Sequence, residues 1–224
     1  MKALLIPVKD PAGAKTRLAE VLSSDERRRL AWAMFEDVTE AVALAAMPDH
    51  VAVVTSFAPA AERAHGFGWD VLLEESQVSE SASVDWASRV LAERGFDVVM
   101  RLPADVPLVR AEDIDRLLAV ELGDCGAVLV PSRDGTGTNA VIRKPPALFP
   151  SRFGPNSLAL HKEEAARLGV GCLIVENQRL ALDLDAPEDL ESFLKRGNGT
   201  RTFDLLLETS FTRKVIGDVT GRRA

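Results

Sequence analysis

Short apolar runs alternate with helical patterns along most of this chain, and that alternation constrains the fold more than any single motif. Runs long enough for buried strands occur at Ala3–Val8, Val51–Thr55, Val71–Leu73, Val98–Leu102, Ala127–Pro131, Ala140–Ile142 and Cys172–Val175. The clearest helix start is Ser23-Ser24-Asp25-Glu26, where Ser23 and Glu26 can each satisfy a free amide of the first turn. Leu30, Met34, Val38 and Val42 then recur every four residues and make one apolar stripe. Further helices are predicted around 83–94, 111–122, 157–168 and 187–195. Strands alternating with helices argue for an α/β layered fold, with a largely parallel central sheet flanked by helices. Ligands in such folds bind beyond the carboxyl ends of the strands, where strand order reverses. Motifs just after a strand therefore carry the most weight.

A chain of 224 residues can bury a sizeable core. We read residues 1–195 as the main domain, Arg196-Gly197-Asn198-Gly199-Thr200 as a linker, and 196–224 as a C-terminal extension with no assigned role. No run approaches the ~20 apolar residues of a membrane span. Ala3-Leu4-Leu5-Ile6 reads as a buried strand, not a secretion signal. Cys125 and Cys172 share no metal-ligand spacing and read as packed thiols of a reducing, cytoplasmic protein. The formal charge of -7, with no basic stripe, argues against a nucleic-acid partner. An acidic protein that handles anions must gather its cations locally or recruit a divalent ion. Oligomeric state is open, with a homodimer one option.

Five segments could carry chemistry. After the first strand, Lys9-Asp10-Pro11-Ala12-Gly13-Ala14-Lys15-Thr16-Arg17 places three cations where they can neutralise a triphosphate and its leaving group, or stand solvated and idle. It is neither a Walker loop nor a dinucleotide fingerprint. In Leu102-Pro103-Ala104-Asp105-Val106-Pro107, two prolines stop the strand and hold Asp105 rigidly, as a ligand for a hard cation or as a turn cap. In Leu182-Asp183-Leu184-Asp185, alternation puts the leucines on one face and the carboxylates on the other. Asp185 has an alternative as a helix cap, boxed with Glu188, whereas Asp183 has no such local use. Asp134-Gly135-Thr136-Gly137-Thr138 offers exposed amides and hydroxyls to an anion, unless it is an ordinary turn. Arg152-Phe153-Gly154-Pro155-Asn156-Ser157 precedes a helix whose first amides favour a phosphate or carboxylate, although Ser157 could simply cap it. His161 falls one turn after Ser157 and is left out of the catalytic set.

In order and spacing these segments resemble the CofC/FbiD family of guanylyltransferases in coenzyme F-420 biosynthesis, over roughly residues 3–195. The most specific parts are Pro7-Val8-Lys9, Ala14-Lys15-Thr16-Arg17-Leu18, Gly135-Thr136-Gly137-Thr138, Arg152-Phe153-Gly154-Pro155 and Asp183-Leu184-Asp185. The resemblance implies a single-domain, Rossmann-like nucleotidyltransferase fold with a mixed, mostly parallel sheet. It implies transfer of GMP from GTP to a three-carbon phospho-acid (2-phospho-L-lactate, phosphoenolpyruvate or 3-phospho-D-glycerate), with release of pyrophosphate. It implies magnesium on Asp105 and Asp183, acceptor contacts at Thr138, Gly154 and Ser157, and Lys9, Lys15 and Arg17 facing the triphosphate. Lys15 and Arg17 would join the two aspartates as the catalytic set. The family usually carries threonine where this chain has Ala186, and the extension after Lys195 is longer than the resemblance leads one to expect. Sugar- and molybdopterin-type nucleotidyltransferases are the nearest rivals, but they open with a Gly-rich loop where this chain is lysine-rich. A non-catalytic nucleotide-binding module is a rival of another class, and it has no use for the carboxylates and cations kept here.

Overall fold

In the computed structural model, residues 1–76 and 78–212 are described. Seven strands form one sheet: β1 (Lys2–Val8), β2 (His50–Thr55), β3 (Asp70–Leu73), β4 (Val98–Arg101), β5 (Gly126–Pro131), β6 (Thr138–Lys144) and β7 (Gly171–Ile174). All seven sit on the apolar runs of the sequence. Their order across the sheet is β3-β2-β1-β4-β6-β5-β7. β6 runs antiparallel to both of its neighbours, and every other pairing is parallel.

Side-chain alternation sends successive residues of a strand to opposite faces of the sheet. Leu4, Ile6 and Val8 of β1 pack with α1 (Ser24–Ala43), α2 (Ala58–Gly66) and α4 (Ala111–Leu118). Ala3 and Leu5 pack instead with α3 (Glu80–Glu93), and Ala127 of β5 clusters with Ala165 of α5 (Ser157–Leu168) and with Phe149 from the loop before it. Helix α1 starts on the predicted box, with Glu26 N donating to Ser23 Oγ and Ser23 N to a Glu26 carboxylate oxygen. α2 carries no strong sequence signal, because its buried face is only Ala60, Ala61 and Ala64. Cys125 is exposed just ahead of β5, which corrects its reading as a packed thiol; Cys172 is half-buried, and both are free.

A second cluster binds the C-terminal segments to the body. Leu18, Leu22, Leu30 and Met34 pack with Leu182 and Leu184, with α6 (Pro187–Leu194), and with α7 (Arg201–Glu208). Helix α7 lies where the sequence offered no shape for the extension. Thr200 caps it, and the amides of Arg201 and Thr202 donate to Asp37 of α1 at 2.8 and 2.9 Å. Residues 213–224 of the extension lie outside the described residues. No helix among the described residues is long and apolar enough to cross a membrane.

Candidate active site

After β1 the chain moves outward to β2 and β3, and it then returns to place β4 on the other side of β1. The carboxyl ends of β1 and β4 therefore flank the crevice that doubly wound sheets use for ligands. Both loops flagged in the sequence leave from it. The first makes a 3-10 turn, Pro11–Gly13, capped by Asp10, and then a second, Thr16–Glu20. Between them Lys15 takes a left-handed backbone (φ 54°, ψ 44°), a conformation that disfavours a residue with a Cβ. That cost aims a long side chain inward. Lys15 Nζ donates to Asp105 Oδ2 at 2.7 Å and to Asp185 Oδ1 at 2.5 Å. A cavity of about 450 Å³ opens beside this pair, with Lys9, Lys15, Trp32, Phe57, Arg101 and Asp105 in its walls.

Three carboxylates converge here. Leu182 and Leu184 are buried in the second cluster, and the extended chain turns Asp183 and Asp185 the other way. One oxygen each of Asp105, Asp183 and Asp185 lies within 4.8 Å of the other two. Asn139 Nδ2 donates to Asp183 Oδ1 at 3.0 Å and to Leu180 O at 2.8 Å, which fixes the Asp183 carboxylate. Asp185 does not cap α6. The Asp189 carboxylate reaches back to the amides of Asp185 and Ala186, the half of a capping box that needs no hydroxyl at Ala186, and Asp185 stays free for Lys15.

The electrostatics follow from this crowding. Burial pushes the Lys15 pKa down, but Asp105 and Asp185 outweigh it and hold the ammonium charged. Burial pushes Asp105 up, while Lys15 and the more distant Arg101 bring it below the usual carboxylate range. Asp183 goes the other way: burial, then the Asp105 charge, raise it to about 6. One ammonium thus serves three acids and leaves one of them short of positive charge. An all-oxygen donor set of this kind suits a hard divalent ion. Lys15 is the stand-in cation in this structure.

The two glycine-containing segments meet each other. Leu158 N, at the start of α5, donates to Thr136 O at 3.0 Å, and a Cβ on Gly137 would come within 4.0 Å of Ser157 Oγ. Thr138, Gly154 and Ser157 are thereby brought to one place, next to Asn139. The expectation of exposed amides does not hold. Gly135 N donates to Ser132 O, Thr136 N to Asp134 Oδ1 and Gly137 N to Ser132 Oγ, because a turn this tight satisfies its own donors. Ser157 N and Leu158 N are likewise taken by Gly154 O and Thr136 O. Ser132 and Thr136 also spend their hydroxyls on Asp134, so the hydroxyls of Thr138 and Ser157 are what this region has left to offer. Gly154 has φ +126°, which a residue with a side chain rarely adopts.

Lys9 stands exposed at the cavity rim, and Arg17 is exposed on the second 3-10 turn, outside the cavity wall. Sequence reasoning passed over Asn139 and Arg101. Buried Arg101 ends β4, donates to Asn139 O at 2.7 Å, pairs with Glu80 and lies 4.2 Å over the Phe153 ring. Its signal was present, since an arginine closing an apolar strand must find partners.

A family model described as "Guanylyl transferase CofC like" matches residues 1–223. Over 196 residues the chain is 35% identical to the phosphoenolpyruvate guanylyltransferase of Rubrobacter xylanophilus, covering 83% of this chain and 90% of that one. Over 210 residues it is 33% identical to the 2-phospho-L-lactate guanylyltransferase of Methanothermobacter thermautotrophicus, covering 94% and 92%. Among solved structures, a protein of Desulfovibrio desulfuricans described as a nucleotide-diphospho-sugar transferase superposes with a TM-score of 0.74 at 21% identity, covering 92% and 94%, and so shares the fold. With its reach along the whole chain and its acid–lysine crevice at the turning point of the sheet, this protein belongs to the CofC-like guanylyl transferase family.

Proposed function

We propose that this protein transfers the GMP group of GTP to the phosphate of a three-carbon phospho-acid and releases pyrophosphate, in coenzyme F-420 biosynthesis. The observation that carries the reading is Lys15 held between Asp105 and Asp185 beside a cavity at the end of β1 and β4. An acceptor phosphate oxygen attacks the α-phosphorus of GTP, and the bridging oxygen departs with the pyrophosphate. The acceptor phosphate is largely ionised near neutral pH, so no general base is required. Trp32 and Phe57 give the cavity apolar walls suited to a base, and Lys9 supplies charge at its rim. Asp105 and Asp183, with Asp185 alongside, would hold magnesium, which when bound neutralises charge on the reacting phosphates.

Lys15, in the cavity wall, brings its ammonium to stabilise charge building on the α-phosphoryl and the leaving group, while the metal would take over the carboxylates it now pairs with. Arg17, exposed on the same turn, meets the outer phosphates. Thr138, Gly154 and Ser157 orient the acceptor, which lowers the entropic cost of bringing two anions together. The relatives act on different acceptors at nearly equal identity, 35% and 33%, so identity to them does not choose the acceptor.

The test is pyrophosphate release from GTP and magnesium with phosphoenolpyruvate, 2-phospho-L-lactate or 3-phospho-D-glycerate added singly. Release that depends on one of them supports the reading. Acceptor-independent hydrolysis, or silence with all three, defeats it.

A further inference from the structure

His161 is fully buried at 0% exposure, one helical turn into α5, and the reaction above gives it no task. Its two ring nitrogens are both engaged. Nε2 lies 2.8 Å from the backbone amide of Arg152, which can only donate, so Nε2 carries a lone pair. Nδ1 lies 3.1 Å from Thr138 Oγ1. A neutral imidazole with a bare Nε2 carries its hydrogen on Nδ1, so Thr138 Oγ1 is the acceptor in that bond. Burial, followed by the charges of Arg143 and Arg101, lowers the ring's pKa to about 4, consistent with a neutral ring. His161 is the hydrogen-bond partner of the Thr138 side chain among the described residues, and that side chain is nearly buried. The hydroxyl hydrogen of Thr138 is therefore left for something else. Because the glycine turn spends its own amides internally, this hydroxyl is the donor that the start of β6 can still present.

We propose that His161 is a positioning residue for the acceptor: by donating to Thr138 Oγ1 it leaves that hydroxyl's hydrogen free to donate to an anionic oxygen and, through the Arg152 amide, ties the hydroxyl to the loop carrying Gly154. The ring also meets Phe153 edge-on (centroids 5.1 Å apart), so both sides of the acceptor site are set from one buried side chain. The proposal rests on the reading that Thr138 contacts the acceptor. It adds that the fold, through His161, biases this hydroxyl toward donating. A serine or threonine hydroxyl ordinarily turns to suit its partner; here one of its two lone pairs is already taken, which restricts where its hydrogen can point.

The test is a set of steady-state measurements with GTP and the acceptor varied separately. Thr138→Val should raise the acceptor KM about tenfold, as loss of one hydrogen bond does, and leave the GTP KM unchanged. His161→Gln keeps an oxygen that can reach the Arg152 amide but supplies no donor at the Nδ1 position, so it should match Thr138→Val. His161→Asn keeps a donor near Nδ1 and should lose less. The Thr138→Val/His161→Gln double variant should be no worse than Thr138→Val alone.

If Thr138→Val leaves the acceptor KM unchanged, the acceptor reading fails and takes this proposal with it. If Thr138→Val behaves as stated but His161→Gln multiplies the loss in that background, or raises the GTP KM equally, the acceptor reading stands and the role of His161 is overturned. A measurement on the unaltered protein guards against misfolded variants: long-range ¹⁵N–¹H correlation of the His161 ring near neutral pH. Protonated Nδ1 with bare Nε2 supports the proposal, and the opposite tautomer refutes it.

Discussion

Lys15 Nζ sits 2.5 Å from Asp185 Oδ1, joining a loop that leaves the first strand to a segment 170 residues later. The left-handed backbone at Lys15 has little else to recommend it, so local conformation is spent on where this ammonium points. Lys15→Ala should lower kcat by about two to three orders of magnitude, the range seen when one preorganised charge is removed from a developing anion. Arg17→Ala, on the exposed outer side of the same turn, should chiefly raise the GTP KM, by about tenfold or less. Kinetics of the two variants, with GTP varied, separate an inner from an outer contact. Equal losses of kcat would refute the distinction.

Magnesium should bind the crevice even without substrate, since burial and then the Asp105 charge leave the Asp183 carboxylate short of positive charge. Millimolar magnesium should raise the melting temperature of the unaltered protein, because an ion that binds only the folded state stabilises it by mass action. Asp183→Asn should lose that response while remaining folded, and Asp105→Asn should lose it together with turnover. Calorimetry or dye-monitored melting, with and without chelator, reads the effect. An undiminished magnesium response in both variants would place the ion elsewhere.

The strands were legible because all but one of the apolar runs end at a proline or a charge, and burial on a mostly parallel sheet demands little more. Asp183 was legible for a related reason: with Leu182 and Leu184 committed to the core, alternation leaves the acid facing the crevice even though the segment joins no strand. Asp185 was ambiguous, because a helix start three residues before Asp189 could be capped from either side, and only the fold decides which acid does it. The order of strands was not legible. Nothing local says that β4 pairs with β1 or that β6 runs backwards between β4 and β5. The free amides expected of the glycine turn were also misjudged for want of non-local information, since composition shows that amides exist but not that Ser132 and Asp134 already use them.

Helix α7 is a structural part of the enzyme by its packing. Leu206 is fully buried, and it shares a cluster with Leu30 and Met34 of α1 and with Phe193 of α6. Leu206→Ala should cost roughly 2–5 kcal/mol, the usual range for a large aliphatic side chain lost from a well-packed site. Denaturant unfolding measures it directly. A loss below about 0.5 kcal/mol, the level of an ordinary surface substitution, would show that this segment does not belong to the core.

Glu26 gives the same region a dependence on acid. Its carboxylate accepts from Ser23 N at 2.8 Å and from Ser210 N at 2.9 Å, so it caps α1 and holds the segment after α7 at once. Burial alone would raise its pKa, but these two amides prevail and lower it from 4.5 to about 2. A carboxyl with a depressed folded-state pKa binds its proton more readily when unfolded. Its contribution is therefore fully present above pH 4.5 and is lost as the pH falls toward 2. Glu26→Gln should destabilise the protein by about 1 kcal/mol near neutral pH, where the charge strengthens both bonds but solvent partly screens it. The gap should close as the unaltered protein is titrated through that window. Urea unfolding of both proteins at pH 7, 4 and 2.5 would show it, and a difference that stays constant with pH would mean that the charge on Glu26 contributes nothing.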